Sequence, residues 1–508
     1  MKGKIEETSE KFYAFLKKTY LSRKRKVDRV LEIVPGGVSW MLITMPIWLS
    51  LFIPHIVAYF ILIFMVYWFY KSATFATCAV LAYLRISAHK EVNWLKEAKK
   101  QKGWDKIHHV VIIPNYKERL EKLRLTLAHL TGSDFPKRQI SIVLAFEERE
   151  GKATKKKAQA LKAEFGKQFS HFFITYHPLL PGEIIGKASN ESYAAKQVAQ
   201  RLKKLGFDFK KVTISTCDAD TLWHPKYFSC LTYLFLTDPK RYFHFYYAPF
   251  LLYGNFWKLV LPVRVQATLS NFVRISLLMQ PSRLIPMSAY TTSLYLLNKI
   301  GYWDRDIIPE DWHIFLQAFF YLGAKVKTIP IFLPTIGDAS HSSTLWKTLT
   351  SRYQQERRWA WGVTDVPYTI KQYFRHKEIP FWPKTKMLIT VLENHLLWSA
   401  LFFLLTLGAT IPPLVNPAFK KTVLGYMLPG IARLILTLSS VFLIVIVLID
   451  SKIRPSKPRA FRWLKAPFLY LQWVFLPLVS FFFASLPGLD AHTRLMLNKR
   501  LEYKTSEK

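Results

Sequence analysis

The feature that most constrains this chain is where its apolar runs fall. From Val38 to Ile86 the sequence is almost without charge, interrupted only by Pro54-His55 and Lys71. Comparable runs return at about 387–413 and 423–449, and a shorter one at 467–487 contains Pro477. A helix needs roughly 20 apolar residues to cross the hydrocarbon of a bilayer, and these runs supply them. The first is too long, and too far from the start, to be the apolar core of a signal peptide. It suits two membrane helices within 36–86, the second leaving the bilayer obliquely near Tyr83-Leu84-Arg85.

Residues 87–385 are a different material. The segments 107–114, 139–146, 171–178 and 211–217 are short, apolar and rich in β-branched or aromatic residues. They alternate with the helical patterns 117–130, 153–169 and 187–205. This alternation predicts a parallel α/β sheet with right-handed crossovers. The expected plan is a basic segment (1–35), two membrane helices (36–86) and an α/β domain (87–340). A segment with an interfacial helix (341–386), a second membrane bundle (387–488) and a basic tail (489–508) complete it.

Seventy-two Lys and Arg against 34 Asp and Glu give a formal net charge of +38. That excess suits a negatively charged partner or the positive-inside bias of a membrane protein. Basic residues crowd the membrane borders, as in "SRKRK" (22–26) and the loop 451–466, which places those borders on the cytoplasmic side and argues against a nucleic-acid binder. A simple third span at 467–487 puts the basic tail on the opposite side, so a break at Pro477 or a re-entrant segment is expected. Three cysteines make no disulfide framework and fit a reducing compartment.

In open parallel sheets, ligands bind outside the carboxyl ends of the strands. The first strand ends in "PNYKE" (114–118), the second in Glu147-Glu148 and the fourth in "CDADT" (217–221). Acids therefore gather on one rim. Asp218 and Asp220 at a strand exit are placed to share a hard cation such as Mg²⁺, the alternative being a cap on a helix starting near His224-Pro225. Glu310-Asp311, ahead of an apolar helical run, either complement a helix dipole or supply a carboxylate base. "EIIGKASN" (183–190) lacks the spacing of a phosphate loop, but Lys187 and Asn190 at a helix start are placed to meet a phosphate or ribose. His313 and His341 read as hydrogen-bonded polar histidines rather than ligands. In "QQERRWAWG" (354–362) a helix puts Gln355, Arg358 and Trp359 on one face. Arginine offers a fork for a phosphate, tryptophan a flat platform for a sugar ring, and glutamine a donor and acceptor for hydroxyls. An interfacial helix explains the same residues by location.

Asp218-Ala219-Asp220, Pro309-Glu310-Asp311 and Gln355…Arg358-Trp359, in that order and followed by membrane helices, resemble the membrane-bound family-2 glycosyltransferases, the group of cellulose, chitin and hyaluronan synthases. The resemblance covers about 107–362. It implies a GT-A (Rossmann-like) domain on the cytoplasmic face, inserted between transmembrane helices of the cell inner membrane, and an inverting, processive transfer from a nucleotide sugar, a UDP-sugar for preference, to a glycan or lipid-linked acceptor. Asp218 and Asp220 would hold Mg²⁺ or Mn²⁺ against the donor diphosphate, and Arg358 would stabilise the leaving group. Asp311, beside Glu310, would deprotonate the acceptor. Gln355 and Trp359 would line the acceptor site. Pro114, Asn115, Tyr116, Glu118 and Glu147 would surround the nucleobase and ribose. The chain departs from the family where Glu147-Glu148 replace the usual aspartates, Pro309 a threonine, and Lys117 an asparagine. A different class, a transporter or receptor that only binds a nucleotide, needs no base at Asp311.

Overall fold

The computed structural model describes residues 2–456 and 471–501. The expected basic loop from 457 on, the first residues of the 467–487 run and the tail from 502 lie outside them. The chain divides into two units. Of the described residues, one contains 74–351, 445–456 and 471–473; the other contains 2–73, 352–444 and 474–501.

The first unit carries a 7-stranded sheet of order β3-β2-β1-β4-β7-β5-β8. Its strands are β1 (His108–Asn115), β2 (Ile140–Glu147), β3 (His171–His177), β4 (Val212–Thr216), β5 (His244–Tyr247), β7 (Tyr290–Ser293) and β8 (Lys327–Pro330). A small second sheet pairs β6 (Phe250–Leu251) with β9 (Thr335–Ile336). Every residue of β1 and β2 is buried, which is why both read as continuous apolar runs instead of alternating ones. β1 to β4 are mutually parallel. The expectation of a wholly parallel sheet is corrected at β7, which runs antiparallel to both β4 and β5. β7 reads "YTTS", four residues with no apolar signature, and its place in the sheet comes from pairing alone.

The chain builds β1, β2 and β3 outward in one direction, then returns to lay β4 on the other side of β1. The crevice between β1 and β4 is a topological switch point, where such sheets bind ligands. It is at this point that "PNYKE" and "CDADT" leave the sheet.

In the second unit, helices Lys2–Trp48, Phe381–Thr406 and Leu486–Met496 pack around a buried polar knot. Ser39 Oγ lies 2.8 Å from Ser399 Oγ and 2.8 Å from His492 Nδ1. Gly36 allows this approach, because a Cβ there would meet the Met496 Cβ at 2.7 Å. An apolar cluster of Val57, Ala58, Ile61 and Met65 with Ala400, Leu404, Phe419 and Leu428 extends the packing. Lys71 and Glu393 form an ion pair between two of the apolar helices, with Tyr67 also donating to Glu393 at 2.5 Å.

Across the whole chain, five helices among the described residues are long and apolar enough to cross a membrane: Lys24–Leu51, Pro54–Glu91, Phe381–Thr406, Val423–Ile453 and Gln472–Met496. Their outward faces carry exposed Ile56, Ile63, Val66, Val441, Ile444 and Leu448, a surface that suits lipid. Around Pro477 the helical geometry changes twice: a 3₁₀ turn at Gln472–Phe475 runs into Leu476–Ser480, with Pro477 in its first turn, and a π-helical turn follows at Phe481–Ser485.

Candidate active site

Because β1 to β4 run the same way, their carboxyl ends share one edge. β7 arrives from the opposite direction, and its register sets Tyr290 beside Thr216. The residues just before β7, Ser288 and Ala289, therefore reach the same edge as the Asp218–Asp220 turn. The far side of that turn is fixed as well: Leu222 and Ile336 exchange backbone hydrogen bonds of 2.7 and 2.9 Å. Next to Ile336, Gly337 lies against Phe250 so closely that a Cβ would fall 1.9 Å from the ring. The Asp338 N–H then donates to Asp220 Oδ2 at 2.8 Å, and Asp338 Oδ2 accepts from Lys122 at 2.9 Å.

The capping reading of Asp218 and Asp220 fails, since the next helix begins at Tyr227 with Lys226 at its N-cap. What Asp218 meets is Lys187, at 3.2 Å. Lys187 opens the helix Lys187–Lys204 and also lies 2.7 Å from Glu310 and 3.7 Å from Glu191. One ammonium thus ties the β4 exit to the Glu310-Asp311 pair, which are 92 positions apart in sequence between Asp218 and Glu310. Glu310 and Asp311 do open a helix, Glu310–Leu322, so the dipole reading is correct as to place. Asp311 accepts from the Ser288 N–H at 3.0 Å and from the Trp312 N–H at 2.8 Å. Burial, and then the neighbouring charge of Glu310, raise the Asp311 carboxyl to about 7, although both backbone donors and Lys187 pull it down. Burial also raises Glu191 to about 8, while its carboxyl accepts from the Thr216 hydroxyl. Lys187 is held well above its ordinary range: burial works against its charge, but the carboxylates of Glu310, Asp218 and Glu191 outweigh it.

The residues present fit a divalent cation shared with a substrate. Among the described residues, no group of three or more His, Cys, Asp or Glu side chains is arranged to hold a metal. Two carboxylates two residues apart, one buried and the other partly exposed, are the donor set of an ion that also takes phosphate oxygens, as Mg²⁺ does.

Along the same edge, Pro114 and Asn115 are the buried end of β1. Asn115 Oδ1 accepts from the Glu118 N–H, and Lys117 between them adopts a left-handed φ of 60°. The Asn115 amide nitrogen is buried without a hydrogen-bond partner, as is the side-chain oxygen of Asn190, whose amide donates to the Ala145 carbonyl at 3.0 Å. Such orphaned groups are rare in protein interiors and are what a polar ligand would satisfy. Tyr116 lies beneath the Arg149 guanidinium, 4.0 Å from its ring centre. Glu147 is 3.3 Å from His177, which also meets Glu183 at 2.8 Å. Burial alone would lower the His177 pKa, but the two carboxylates raise it. His313 is hydrogen-bonded to Asp304 at 3.0 Å.

In the other unit, the part of helix Leu345–Ala360 from Arg352 on carries Gln355, Arg358 and Trp359. Gln355 is buried, and its side-chain oxygen accepts from Arg352 at 2.5 Å. Arg352, wholly buried, also pairs with Glu356 and stands 5.0 Å over the Trp359 ring. Asp490 accepts from Arg357 at 2.9 Å, from Tyr353 at 3.2 Å and from Arg494 at 2.7 Å.

Sequence reasoning missed Glu191, Ser288, Asp338, Arg352 and Asp490. Gly337 before Asp338 is a signal that was available, a glycine followed by an acid after a β-branched pair. The others carry none, because a buried Glu on a polar helix and a left-handed serine (φ 57° at Ser288) look ordinary in sequence.

The sequence profile of glycosyl transferase family group 2 matches residues 213–485, more than half of the chain. Among curated proteins none matches significantly. Similar solved structures include the mannosyltransferase PcManGT from Pyrobaculum calidifontis in complex with GDP-Man and Mn²⁺, at 14% identity and a TM-score of 0.42, covering 87% of this chain and 99% of that one. S. aureus TarS 1–349 aligns at 11% identity and a TM-score of 0.34, covering 66% and 90%. Its complex with UDP-GlcNAc aligns at 12% and 0.33, covering 77% and 91%.

Proposed function

Because the chain belongs to glycosyl transferase family group 2, we propose that it transfers a hexose with inversion from a nucleotide-diphosphate sugar, a UDP-sugar for preference, to a growing glycan at a membrane. The observation that carries the reading is the Lys187 cluster, which gathers the Asp218 turn and the Glu310-Asp311 pair around one buried ammonium. A nucleotide-binding receptor has no use for a carboxyl held near neutrality in that cluster.

In the proposed reaction an acceptor hydroxyl oxygen attacks the anomeric carbon from the face opposite the diphosphate. The new C–O bond forms as the bond from that carbon to the phosphate oxygen breaks. The hydroxyl proton passes to Asp311, whose carboxyl near 7 is matched to that task at neutral pH. The Ser288 and Trp312 N–H groups hold Asp311 in one orientation. Asp218 and Asp220 would hold Mg²⁺ or Mn²⁺, which when bound supplies positive charge to the leaving diphosphate. Lys187 faces the same charge. Asn115, Tyr116, Glu118, Glu147 and Asn190, with Pro114 shaping the wall, are read as the nucleoside end, which the two orphaned amide groups support. Arg358 is read on the diphosphate, and Gln355 and Trp359 on the acceptor.

The spacing of Gln355, Arg358 and Trp359 favours repeated transfer to a polymer over single transfer to a lipid-linked sugar. The catalytic unit is read as cytoplasmic, where nucleotide sugars are made. Incubating membranes that contain the protein with a panel of radiolabelled nucleotide sugars, with and without Mg²⁺ or Mn²⁺, tests donor, metal and product together. A long, metal-dependent product is expected. Label confined to a lipid fraction would replace the polymer by a lipid-linked product, and no incorporation from any donor would overturn the reading.

A further inference from the structure

The Lys187 ammonium is held by three carboxylates from three separate elements. Glu191 stands one turn along its own helix at 3.7 Å, Asp218 follows β4 at 3.2 Å, and Glu310 opens the next motif at 2.7 Å. The Ser288 carbonyl accepts from it at 3.3 Å. The anchor behind the lysine is rigid: Glu191 is wholly buried and takes the Thr216 hydroxyl. Lys187 is thus fixed before any donor arrives, with its charge on a carboxylate that faces the cation. An ammonium and a divalent ion compete for Asp218 and repel one another. A diphosphate relieves both, since its charge is shared between them.

We propose that Lys187 is a resident counter-cation that makes this cluster a poor site for a free divalent ion, so that the ion binds well only together with the nucleotide diphosphate. The inference rests on the reading of Asp218 and Asp220 as the carboxylates that face the ion. It adds to that reading an order: the lysine makes donor and cation affinities interdependent, and by linkage each must strengthen the other equally.

The test is binding of Mn²⁺ to the purified full-length protein in detergent, followed by electron paramagnetic resonance, without nucleotide and with UDP. Wild type should bind Mn²⁺ weakly alone and about tenfold or more tightly with UDP. K187Q should bind Mn²⁺ alone about tenfold more tightly than wild type, while binding UDP more weakly. K187R, which keeps the charge, should match wild type toward Mn²⁺ alone. Unchanged Mn²⁺ affinity in K187Q with weakened UDP binding would overturn the inference and leave Lys187 as a donor contact only. Should K187Q not fold, wild type alone decides: Mn²⁺ binding as tight without UDP as with it overturns the inference. Absence of saturable Mn²⁺ binding under every condition would instead remove the reading of Asp218 and Asp220, and the inference with it.

Discussion

The exit of β4 and the Gln355–Trp359 helix each carry a recognisable motif, and the two motifs are held in opposite ways. At the β4 exit the motif acids are themselves the structure of the site. Asp218 and Glu310 meet through Lys187, Asp220 receives the Asp338 N–H, and Asp311 is clamped by two backbone donors. In the helix, the motif residues are fixed by neighbours outside the motif. Arg352 takes the Gln355 oxygen and covers Trp359, while Tyr353 and Arg357 anchor the helix to Asp490. The acids read as acting on the donor are tied together through a shared ammonium and backbone donors, whereas the side chains read as meeting the acceptor are propped by residues outside the motif. This contrast can be tested by asking whether a motif residue or a supporting residue matters more in each region.

The largest effect is expected at Asp311. Replacing it with Asn keeps the shape and an oxygen for one of the two backbone donors but removes the base, so turnover should fall by about 10²–10⁴-fold with UDP affinity within a few-fold of wild type. Turnover close to wild type would show that the base lies elsewhere and would reduce Asp311 to a helix-start acid.

The next effect is on pH. The Asp311 carboxyl is raised to about 7 and acts only when ionised, so kcat/KM should fall about tenfold per unit below that value. Glu310→Gln removes a charge that raises it, and the fall should move to lower pH. Stability should run the other way. A carboxyl whose folded pKa lies above its unfolded value disfavours the folded state once the unfolded chain ionises, so this contribution worsens from about pH 4 up to about 7 and then levels off. Asp311→Asn should flatten that slope in thermal melts. A rate profile level down to about pH 5 would break the assignment.

How much of this was legible beforehand follows from the same contrast. The strands 107–114 and 139–146 were readable because burial on both faces leaves apolar runs, and 171–178 and 211–217 because of their β-branched and aromatic residues; all four form within a residue or two. The antiparallel β7 was not, because "YTTS" takes its place by pairing and has no periodicity. Asp218, Asp220, Glu310 and Asp311 stand out as acids after apolar stretches. Glu191 is as buried as any of them but sits in "KASNESYAAK", where the helix's polar composition hides it. In the other region the motif itself was visible and its props were not. Arg352 is wholly buried, yet nothing in "TSRYQQ" separates it from a solvated arginine.

A supporting residue provides the third test. Asp490 collects three donors while its side chain keeps about a fifth of its exposure, as does that of Arg357. Asp490→Ala should cost about 1–2 kcal/mol, read as a lower melting temperature in detergent, because it strands Arg357 and Tyr353 together. An unchanged melt would mean that the helix does not depend on this latch.

The smallest effect, and the one that sharpens the contrast most, is expected at Trp359. An aromatic ring has two faces, and the Arg352 guanidinium stands over one of them. Trp359→Ala removes both a platform for a sugar and the ring that Arg352 rests on, so a loss there does not separate presentation from support. Trp359→Phe keeps a ring for Arg352 while reducing the area offered to an acceptor and removing the indole N–H. If presentation is the role, the Phe variant should keep the melting temperature and UDP affinity of wild type while product length or acceptor use drops about three- to tenfold, the range of a partial loss of stacking. If support is the role, the Phe variant should make product like wild type, and the Ala variant should lose melting temperature and activity together. Equal losses of donor and acceptor use in the Phe variant would place Trp359 with the diphosphate rather than the glycan, and would erase the distinction between the two regions at the residue where it is drawn most finely.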